Sequence, residues 1–361
     1  MSGPRDGAMV RALARWFSAS ARDLPWRTEV RDAYHVLVSE LMLQQTQVSR
    51  VIPKFEAFVS QFPGVRALAV ASEREVLAAW TGLGYYRRAR LLHAAAKEIV
   101  ARFGGRVPGS AAELLELPGI GRYTAGAIAS QAFGERVPVV DGNVVRVLLR
   151  VEGRSGSASE TGTMAWCWER AGSLQQAAAK ARVHPGTLNE AIMELGATLC
   201  VPRGPKCGEC PVGARCEARR LGTQEEIPRP RVAARVREIE HVVQPVTDGR
   251  GRWLVRRREG TLWHGLWELP TLERSTDGRR VPADLVERSL GLSKSEARSP
   301  DVAMEFSFKT SACVVAFVVR VPRRIGRRGV EGEWVTIGDL ERLAMSSPQR
   351  RIVREVVCGG A

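Results

Sequence analysis

The sequence predicts an all-α domain followed by an α+β domain. From about Val10 to Leu221, Ala-, Leu- and Arg-rich segments repeat with helical periodicity and are interrupted by Pro and Gly. Residues 222–236 are polar and contain two prolines, which disfavour both a helix and a packed core. After residue 236, the sequence pattern changes to short runs of β-branched residues. We therefore predict domains at 1–221 and 237–361, joined by a linker at 222–236.

The second half is predicted to contain strands bounded by turn residues. The β-branched runs cover Glu238–Val246, Trp253–Arg256 and Ala312–Val321. Turn signals stand at Asp248-Gly249 and Asp277-Gly278, and a helical segment is predicted over Pro282–Leu290.

Composition points to a polyanion as partner. The 54 Lys and Arg against 39 Asp and Glu give a net charge of +15 and a pI near 10.3. Residues 1–17 contain four charged side chains and no apolar core of a signal peptide, and no apolar run approaches membrane-spanning length. We expect a cytoplasmic, nucleoid-associated monomer without a membrane segment.

Four cysteines crowd into residues 200–216. Cys200, Cys207, Cys210 and Cys216 have the spacing C-x6-C-x2-C-x5-C. Four thiolates so close together suit either zinc or a [4Fe–4S] cluster, and only one Cys-x2-Cys pair is present where zinc knuckles use two. The remaining cysteines at 167, 313 and 358 are interpreted as ordinary thiols. The segment predicts a metal centre with a structural role.

Residues 111–130 have the pattern of two short helices joined by a tight hairpin. An amphipathic helix is predicted over 111–117, then Pro118-Gly119-Ile120-Gly121, then a helix from Arg122. Gly119 and Gly121 allow a tight turn with unobstructed N–H groups, and the second helix adds the positive end of its dipole. The alternative is a plain helix–turn–helix connection. The pattern favours a clamp for a phosphate backbone.

Two carboxylates stand out against apolar surroundings. Glu40 lies on a helical face with Val36, Leu37 and Leu41, where desolvation would raise its pKa and suit it to act as a general acid. Asp141 follows an apolar run and precedes a helix over Val144–Val151. The alternatives are a partnered structural Glu and an Asp that serves as a helix N-cap.

Four segments resemble the adenine DNA glycosylases of the MutY type, within the helix-hairpin-helix superfamily that includes endonuclease III. They are residues 39–48 (SELMLQQTQV), 80–90 (WTGLGYYRRAR), 117–126 (LPGIGRYTAG) and 141–144 (DGNV). The cysteine spacing is similar to the iron–sulfur loop of the same proteins. The resemblance covers about residues 10–221. It implies an all-α helix-hairpin-helix glycosylase domain with a [4Fe–4S] loop, and double-stranded DNA with adenine opposite 8-oxoguanine or guanine as the substrate.

The resemblance also implies roles for individual residues. Glu40 would protonate adenine at N7 and Asp141 would stabilise the positive sugar, with Tyr123 and Asn143 holding them in place. Gln45 and Tyr85 match the residues that wedge into the duplex. The adenine pocket would comprise Leu24, Trp26, Arg27 and Glu190. Because a tyrosine stands at 123 where strand-cutting relatives have a lysine, we expect base removal alone, leaving an abasic site.

The second domain is similar to the Nudix-like C-terminal domain of the same glycosylases. Residues 252–258 (RWLVRRR) and 260–270 (GTLWHGLWELP) carry this resemblance, but the acidic helix pattern of Nudix hydrolases is absent. In residues 304–310 (MEFSFKT), Phe306 and Ser307 match the first two residues of a Phe-Ser-His triplet implied to read 8-oxoguanine, whereas Phe308 replaces the histidine. The alternative is that Phe306 and Phe308 pack the core from one face of a strand.

Other classes of function remain as alternatives. A pyrimidine or thymine-mismatch glycosylase would share the helical fold, although such relatives generally lack a Nudix-like domain. A non-catalytic DNA-binding iron–sulfur protein would need neither Glu40 nor Asp141. The missing acidic pattern counts against a nucleoside diphosphate hydrolase.

Overall fold

The computed structural model describes residues 4–230, 237–260, 262–275, 301–310, 313–324 and 331–359. The chain divides into two compact units. The helical unit is Met1–Val76 with Arg87–Val232, and the C-terminal unit is Leu77–Tyr86 with Ala233–Ala361. The boundary near residue 232 lies inside the predicted linker, whereas the grouping of Leu77–Tyr86 with the C-terminal unit was not expected. The predicted helix at 282–290 and turn at 277–278 lie outside the described residues.

The described residues before the linker form helices without strands, as the sequence predicts. Twelve α-helices run in chain order, with one 3-10 turn at Gly213–Arg215. They are α1 Pro4–Ser20, α2 Ala33–Leu43, α3 Val48–Gln61, α4 Val65–Val70, α5 Glu73–Ala79, α6 Arg87–Phe103, α7 Ala111–Leu115, α8 Arg122–Ala132, α9 Gly142–Val151, α10 Thr161–Lys180, α11 Pro185–Thr198 and α12 Glu217–Leu221.

The core of the helical unit lies among α1, α9, α10 and α11. Leu13, Leu149, Leu174 and Leu188, one from each helix, are fully buried in it. The thiol of Cys167 is buried in the same cluster, which agrees with its interpretation as an ordinary core residue. Helix α11 packs against α8 as well as α9, and α8 packs against α2. This arrangement brings the inner faces of α2, α8 and α11 to one place.

The C-terminal unit contains two small sheets. Its strands are β1 Arg237–Val243, β2 Val246–Thr247, β3 Arg252–Arg257, β4 Trp267–Glu268, β5 Thr271–Ser275, β6 Val302–Lys309, β7 Cys313–Arg320, β8 Arg323–Arg324 and β9 Glu333–Thr336. One sheet has the order β5-β1-β7-β6, with β1 and β7 parallel. The other has the order β4-β3-β2-β8, with β9 paired to β3.

The core of this unit is built from the inward face of β7. Cys313, Val315, Phe317 and Val319 alternate inward because successive strand side chains point to opposite faces. The three predicted strands are confirmed as β1, β3 and β7, with ends that differ by up to three residues.

Two short α-helices of the C-terminal unit, and a π-helical turn at Val353–Val357, escaped the sequence interpretation. The α-helices are α13, Ile337–Arg342, and α14, Ser347–Ile352. A capping box formed by Thr336 and Asp339 begins α13, and the Ser346 hydroxyl accepts the Gln349 N–H to begin α14. The Thr-x-x-Asp spacing was the available signal. Among the described residues, no helix combines the length and the apolar character needed to cross a bilayer.

Candidate active site

A cavity of about 570 Å³ opens in the helical unit among α2, α8, α9 and α11. The residues that the sequence predicted for catalysis and for the base pocket come together here. They are Leu24, Trp26, Arg27, Glu40, Tyr123, Asp141, Asn143 and Glu190, and the wedge candidate Gln45 lines the cavity too. The lining also includes Arg22, Gln131, Met193 and Glu194, which the sequence interpretation missed.

Glu40 projects from the last turn of α2 and is 7% exposed. Its Oε1 accepts a hydrogen bond from Gln131 Nε2 at 3.3 Å. Burial raises the pKa of Glu40 to about 7, hydrogen bonding by Tyr123 and Gln131 opposes the rise, and the charges of Asp141 and Glu190 add to it. A carboxyl that titrates near neutrality can both give and take a proton.

Asp141 is the N-cap of α9, so the structural interpretation of this residue is correct. Its Oδ1 accepts the Val144 N–H at 2.8 Å, and its Oδ2 accepts Asn143 Nδ2 at 2.9 Å. Burial raises the pKa of Asp141, while these hydrogen bonds and the charge of Arg146 lower it. The Asp141 carboxylate both caps α9 and lines the cavity. The capping hydrogen bond therefore fixes the carboxylate at the cavity wall.

Asn143 is held in turn by Arg146. Arg146 Nη2 donates to Asn143 Oδ1 at 2.8 Å and to Gly196 O at 2.7 Å, and Arg146 Nε donates to Cys200 O at 2.7 Å. A Cβ at Gly196 would lie 2.6 Å from the Cβ of Asn143, so α11 approaches α9 closely at this point. The chain of contacts ties Asp141 to the start of the cysteine loop.

Tyr123 stands in the first turn of α8 with its hydroxyl at the cavity. The hydroxyl donates to Met193 Sδ at 3.3 Å and interacts with the Glu40 carboxyl. Burial and the neighbouring negative charges of Glu40 and Asp141 hold the pKa of Tyr123 well above its usual value. The phenol therefore stays protonated and acts as a hydrogen-bond donor.

The apolar wall of the cavity is made by Leu24 and Trp26, both 5% exposed. Trp26 packs edge-to-face on Phe55 with ring centroids 5.3 Å apart. Trp26 is thus a core residue and a lining residue at once.

A ladder of ion pairs makes the polar wall. Arg27 Nε donates to Glu190 Oε1 at 3.0 Å, and Arg31 Nη2 donates to Glu190 Oε2 at 2.9 Å. Arg27 also donates to Glu194, which Arg22 binds as well. Glu190 and Glu194 are four residues apart on α11, so they lie on one face of the helix. That spacing was the signal from which Glu194 could have been found.

The two candidate wedge residues have left-handed backbone conformations, which are uncommon outside glycine. Gln45 has φ +56° and Tyr85 has φ +47°, and Tyr85, in the C-terminal unit, is 45% exposed. Arg88 caps the C-terminal end of α2, because it donates to the carbonyls of Leu41, Met42 and Gln44. Backbone strain such as that at Gln45 and Tyr85 persists only where surrounding contacts hold it, and it is concentrated at functional segments of proteins.

The hairpin is present, with α7 ending at Leu115, two residues before the predicted end. Leu117 precedes a proline, which disfavours helical backbone at that residue. Gly119 has φ +78°, and a Cβ there would lie 2.6 Å from the Cβ of Leu91, so a side chain is excluded. Gly121 has φ −95° with open space above it, and it begins α8 without a side-chain cap. The first amides of α8 are therefore not covered by a capping side chain.

The four clustered cysteines are free thiols that line a single small apolar cavity. Arg150 Nη1 donates to Cys200 Sγ at 3.4 Å, and the Cys216 thiol donates to Arg150 O at 3.3 Å. Among the described residues, no group of three or more His, Cys, Asp or Glu side chains is placed to hold a metal ion. The donor set nevertheless fits a cluster whose irons each bind one thiolate, because four thiols surround one cavity.

The structure separates Phe306 from Ser307. On β6, Phe306 and Phe308 are partly buried and pack on the core, whereas Ser307 is exposed on the opposite face. The rings of Phe306 and Phe317 stack with centroids 4.9 Å apart. The alternative of core packing therefore describes the placement of both phenylalanines, and Ser307 is the exposed residue of the pair.

Comparisons with known proteins agree with this geometry. The profile of the HhH-GPD superfamily of base excision DNA repair proteins matches residues 38–172, and that of the NUDIX domain matches residues 242–355. The adenine DNA glycosylase of Mycolicibacterium smegmatis is 40% identical over 250 residues, which cover 69% of this chain and 80% of that protein.

The human adenine DNA glycosylase is 46% identical over 235 residues, covering 62% of this chain. The matched part is 42% of the human protein, so this chain spans less than half of that relative. A solved thermostable thymine-DNA glycosylase superposes with a TM-score of 0.53 at 28% identity, covering 60% of this chain and 97% of that structure. The helical unit thus has the fold of a base excision glycosylase.

Proposed function

The chain belongs to the adenine DNA glycosylase family, and on that premise we propose that it hydrolyses the N-glycosidic bond of adenine mispaired with 8-oxoguanine or guanine. The observation that carries the proposal is the pair Glu40 and Asp141, two carboxyls that line one cavity in different environments. Cleavage of a glycosidic bond needs an acid for the leaving group and a carboxylate for the positive sugar.

Glu40 supplies the acid. Because its pKa is about 7, a large fraction of Glu40 is protonated at neutral pH. The protonated carboxyl can transfer its proton to adenine N7. Protonation makes the base a neutral leaving group, so the electron pair of the C1′–N9 bond departs with it. Glu40, now a carboxylate, then takes a proton from the water that adds to C1′.

Asp141 supplies the negative charge. Hydrogen bonds from the Val144 N–H and the Asn143 amide favour its ionised form, in which it stabilises the oxocarbenium-like sugar. Because the carboxylate also caps α9, it cannot turn away as charge develops. Tyr123 adds a neutral hydroxyl donor that reaches the Glu40 carboxyl.

The base pocket joins an apolar wall to a polar one. Leu24 and Trp26 offer a flat apolar surface for a purine, and Arg27 with Glu190 offers donors and acceptors for its edge. Adenine is a flat ring with donors and acceptors at its edge, so the two walls are complementary to it.

The reaction ends at base removal. No lysine lines the cavity in the described part of the chain, and Tyr123 is held neutral by its high pKa. A Schiff base with the sugar needs an amine, so the DNA strand stays intact and an abasic site is left.

Duplex DNA would be held by its backbone and opened by a wedge. Helix α8 begins directly after Gly119 and Gly121 without a side-chain cap. Its first amides and the positive end of its dipole can bind phosphates whatever the base sequence of the DNA. Gln45 and Tyr85 are each a candidate to enter the duplex when the base flips. The net charge of +15 supports a polyanionic partner. Such a repair protein would act on the chromosome in the cytoplasm.

A [4Fe–4S] cluster is proposed at Cys200, Cys207, Cys210 and Cys216. The spacing resembles that of the family's iron–sulfur loop, and it contains only one Cys-x2-Cys pair where zinc knuckles use two. When bound, the cluster would supply folding free energy to the loop rather than chemistry to the reaction. Arg203, Lys206 and Arg215 would then be presented towards phosphate.

The C-terminal unit is proposed to read the lesion. The cavity that holds adenine cannot inspect the base on the opposite strand, so a second surface is needed. Ser307, exposed on β6, has a hydroxyl that can hydrogen-bond a base edge. Phe306 would act indirectly, because its ring packs on Phe317.

The experiment uses duplexes with one adenine placed opposite 8-oxoguanine, guanine or thymine, and a fourth with thymine opposite guanine. Strands are resolved with and without alkali. The proposal expects alkali-dependent cleavage at adenine opposite 8-oxoguanine and guanine, with little opposite thymine. Release of thymine without release of adenine would assign the chain the thymine-mismatch activity instead, and binding without any release would overturn catalysis.

A further inference from the structure

Gln131 is a cavity residue that no sequence motif pointed to. It occupies the last full turn of α8 and is 8% exposed, and its Nε2 donates to Glu40 Oε1 at 3.3 Å. Tyr123, in the first turn of the same helix, also reaches the Glu40 carboxyl. The acid therefore has one α8 partner from each end of that helix.

The backbone of Gln131 is fixed by close packing. A Cβ at Gly186, in the first turn of α11, would lie 2.6 Å from Ser130 O and 2.8 Å from the Cα of Gln131. Asn189 Nδ2 donates to the Ser130 hydroxyl at 2.9 Å, which ties the neighbouring residue to α11 as well. The amide is thus presented to Glu40 from a rigid position.

We propose that Gln131 is a positioning residue whose amide N–H holds the Glu40 carboxylate that remains once the departing base has taken the proton. This inference rests on the proposed function, in which Glu40 is the acid. A carboxylate left in this cavity faces the carboxyls of Asp141 and Glu190, which disfavour a further negative charge. A donor aimed at its oxygen offsets that cost.

The groups that act on the pKa of Glu40 come from three helices around the cavity, α8, α9 and α11. Helix α8 contributes Tyr123 and Gln131, the start of α9 contributes Asp141, and α11 contributes Glu190. Helix α6 contributes the guanidinium of Arg88, which donates to the carbonyls of Leu41 and Met42 at the end of α2. A change confined to residue 131 leaves these other groups in place.

The sign of the effect follows from which form the amide favours. An N–H donor favours the ionised carboxyl, so removing it raises the pKa of Glu40 above its present value of about 7. A raised pKa keeps Glu40 protonated at higher pH and makes it a weaker acid. We expect a shift on the order of one pH unit, as for the loss of one hydrogen bond to a charged group.

The test compares the wild type with Q131M, which keeps the length of the side chain without an N–H. Single-turnover release of adenine is measured on both sides of pH 7 with enzyme in excess. Well below that pH, Q131M should be about threefold slower, taking a Brønsted coefficient of about 0.5. Well above it, Q131M should be about threefold faster, because roughly ten times more of the variant is protonated.

Faster release at alkaline pH is a result that damage to the fold cannot produce. The matched control is Q44M, because Gln44 lines the same cavity but donates to Thr124 Oγ1 at 3.4 Å instead. In Q44M, the rate of adenine release should decline at the same pH as in the wild type, even if the rate is lower at every pH. Should Q131M not fold, Q131N removes the contact by shortening the side chain and must show the same shift.

A second readout does not depend on activity. The ¹³C chemical shift of the Glu40 carboxyl, assigned by comparison with E40Q, gives its titration in the free protein. This inference would be overturned if Glu40 titrated at the same pH in wild type and Q131M and the two pH–rate profiles coincided. A loss of rate by the same factor at every pH would also overturn it. Both results would leave the proposed function standing. A wild type that releases no adenine would overturn the proposed function, and the carboxyl titration alone would then decide whether Gln131 holds the ionised Glu40.

Discussion

The guanidinium of Arg22 and the carboxylate of Glu194 form a two-point ion pair at the edge of the cavity. The two N···O distances are 2.6 and 2.9 Å, and the Glu194 side chain is 1% exposed. Arg27 adds a third contact at 2.9 Å. Burial alone would raise the pKa of Glu194, but hydrogen bonds and charge from Arg22 and Arg27 lower it to about 2. Glu194 therefore fastens the 22–27 segment to α11.

The first prediction is that this carboxylate stabilises the fold in a pH-dependent way. The folded pKa, about 2, lies below the ordinary 4.5, so the contribution is complete above pH 4.5 and is lost as the pH falls towards 2. Its size is roughly 3 kcal/mol at neutral pH. The free energy of unfolding of E194Q should be lower than wild type at neutral pH, and the two should converge in acid. Denaturant unfolding measures this, with exposed Glu169→Gln as control; a pH-independent difference would contradict it.

The second prediction concerns the acid. Glu40→Gln keeps the shape of the side chain but has no proton to give, so base release should fall by ~10²–10⁴-fold while duplex binding stays near wild type. In the wild type, the rate should decline as the pH rises through about 7, because Glu40 then loses its proton. Single-turnover kinetics and equilibrium binding check both parts. A Gln variant at the wild-type rate would remove Glu40 from the mechanism.

The third prediction separates base removal from strand cleavage. Because Tyr123 is a neutral phenol and no lysine lines the cavity among the described residues, product strands should remain uncut without alkali. Borohydride should trap almost no covalent complex with DNA. Gel analysis of borohydride-treated reactions measures this, with a strand-cutting glycosylase as positive control. Efficient trapping would reveal an amine nucleophile outside this site.

The fourth prediction concerns the cysteine loop. The purified protein should be brown and contain about four irons per chain, with little zinc, if the thiols hold a [4Fe–4S] cluster. Cys207→Ser should lower the iron content and the yield of folded protein, because the loop gains folding free energy from the metal. Cys358→Ser should change neither, since that thiol belongs to the other unit. About one zinc and no iron would refute the assignment.

The fifth prediction distinguishes two neighbours on β6. Ser307→Ala should reduce the preference for adenine opposite 8-oxoguanine over guanine by ~1–3 kcal/mol, if the contact is like ordinary base discrimination. Phe306→Ala should mainly lower the free energy of unfolding, because its ring stacks on Phe317. Deleting residues 223–361 should remove most of the same preference. Competition binding between the two duplexes measures it; an unchanged ratio in both S307A and the truncated chain would exclude the C-terminal unit as the lesion reader.

The sequence determined the parts whose signals are local. Helical periodicity, the Pro-Gly-Ile-Gly turn and the capping position of Asp141 each depend on a few consecutive residues, and the structure has them at or within two residues of the predicted places. The β-branched run over Ala312–Val321 predicted strand β7 for the same reason. The family motifs added which of these residues share a site.

Only the tertiary structure decided which distant side chains meet. Gln131 and Glu40 are 91 residues apart, and Arg22 and Glu194 are 172 apart, so no local pattern links them. Packing of α8 against α2 brings Gln131 to Glu40, and packing of α11 against α1 brings Glu194 to the segment that holds Arg22. The same holds for Phe306, whose stacking on Phe317 depends on the register between β6 and β7. Side-chain environment, and with it the pKa of a catalytic acid, is a property of burial and neighbours, which arise only when the helices and strands pack.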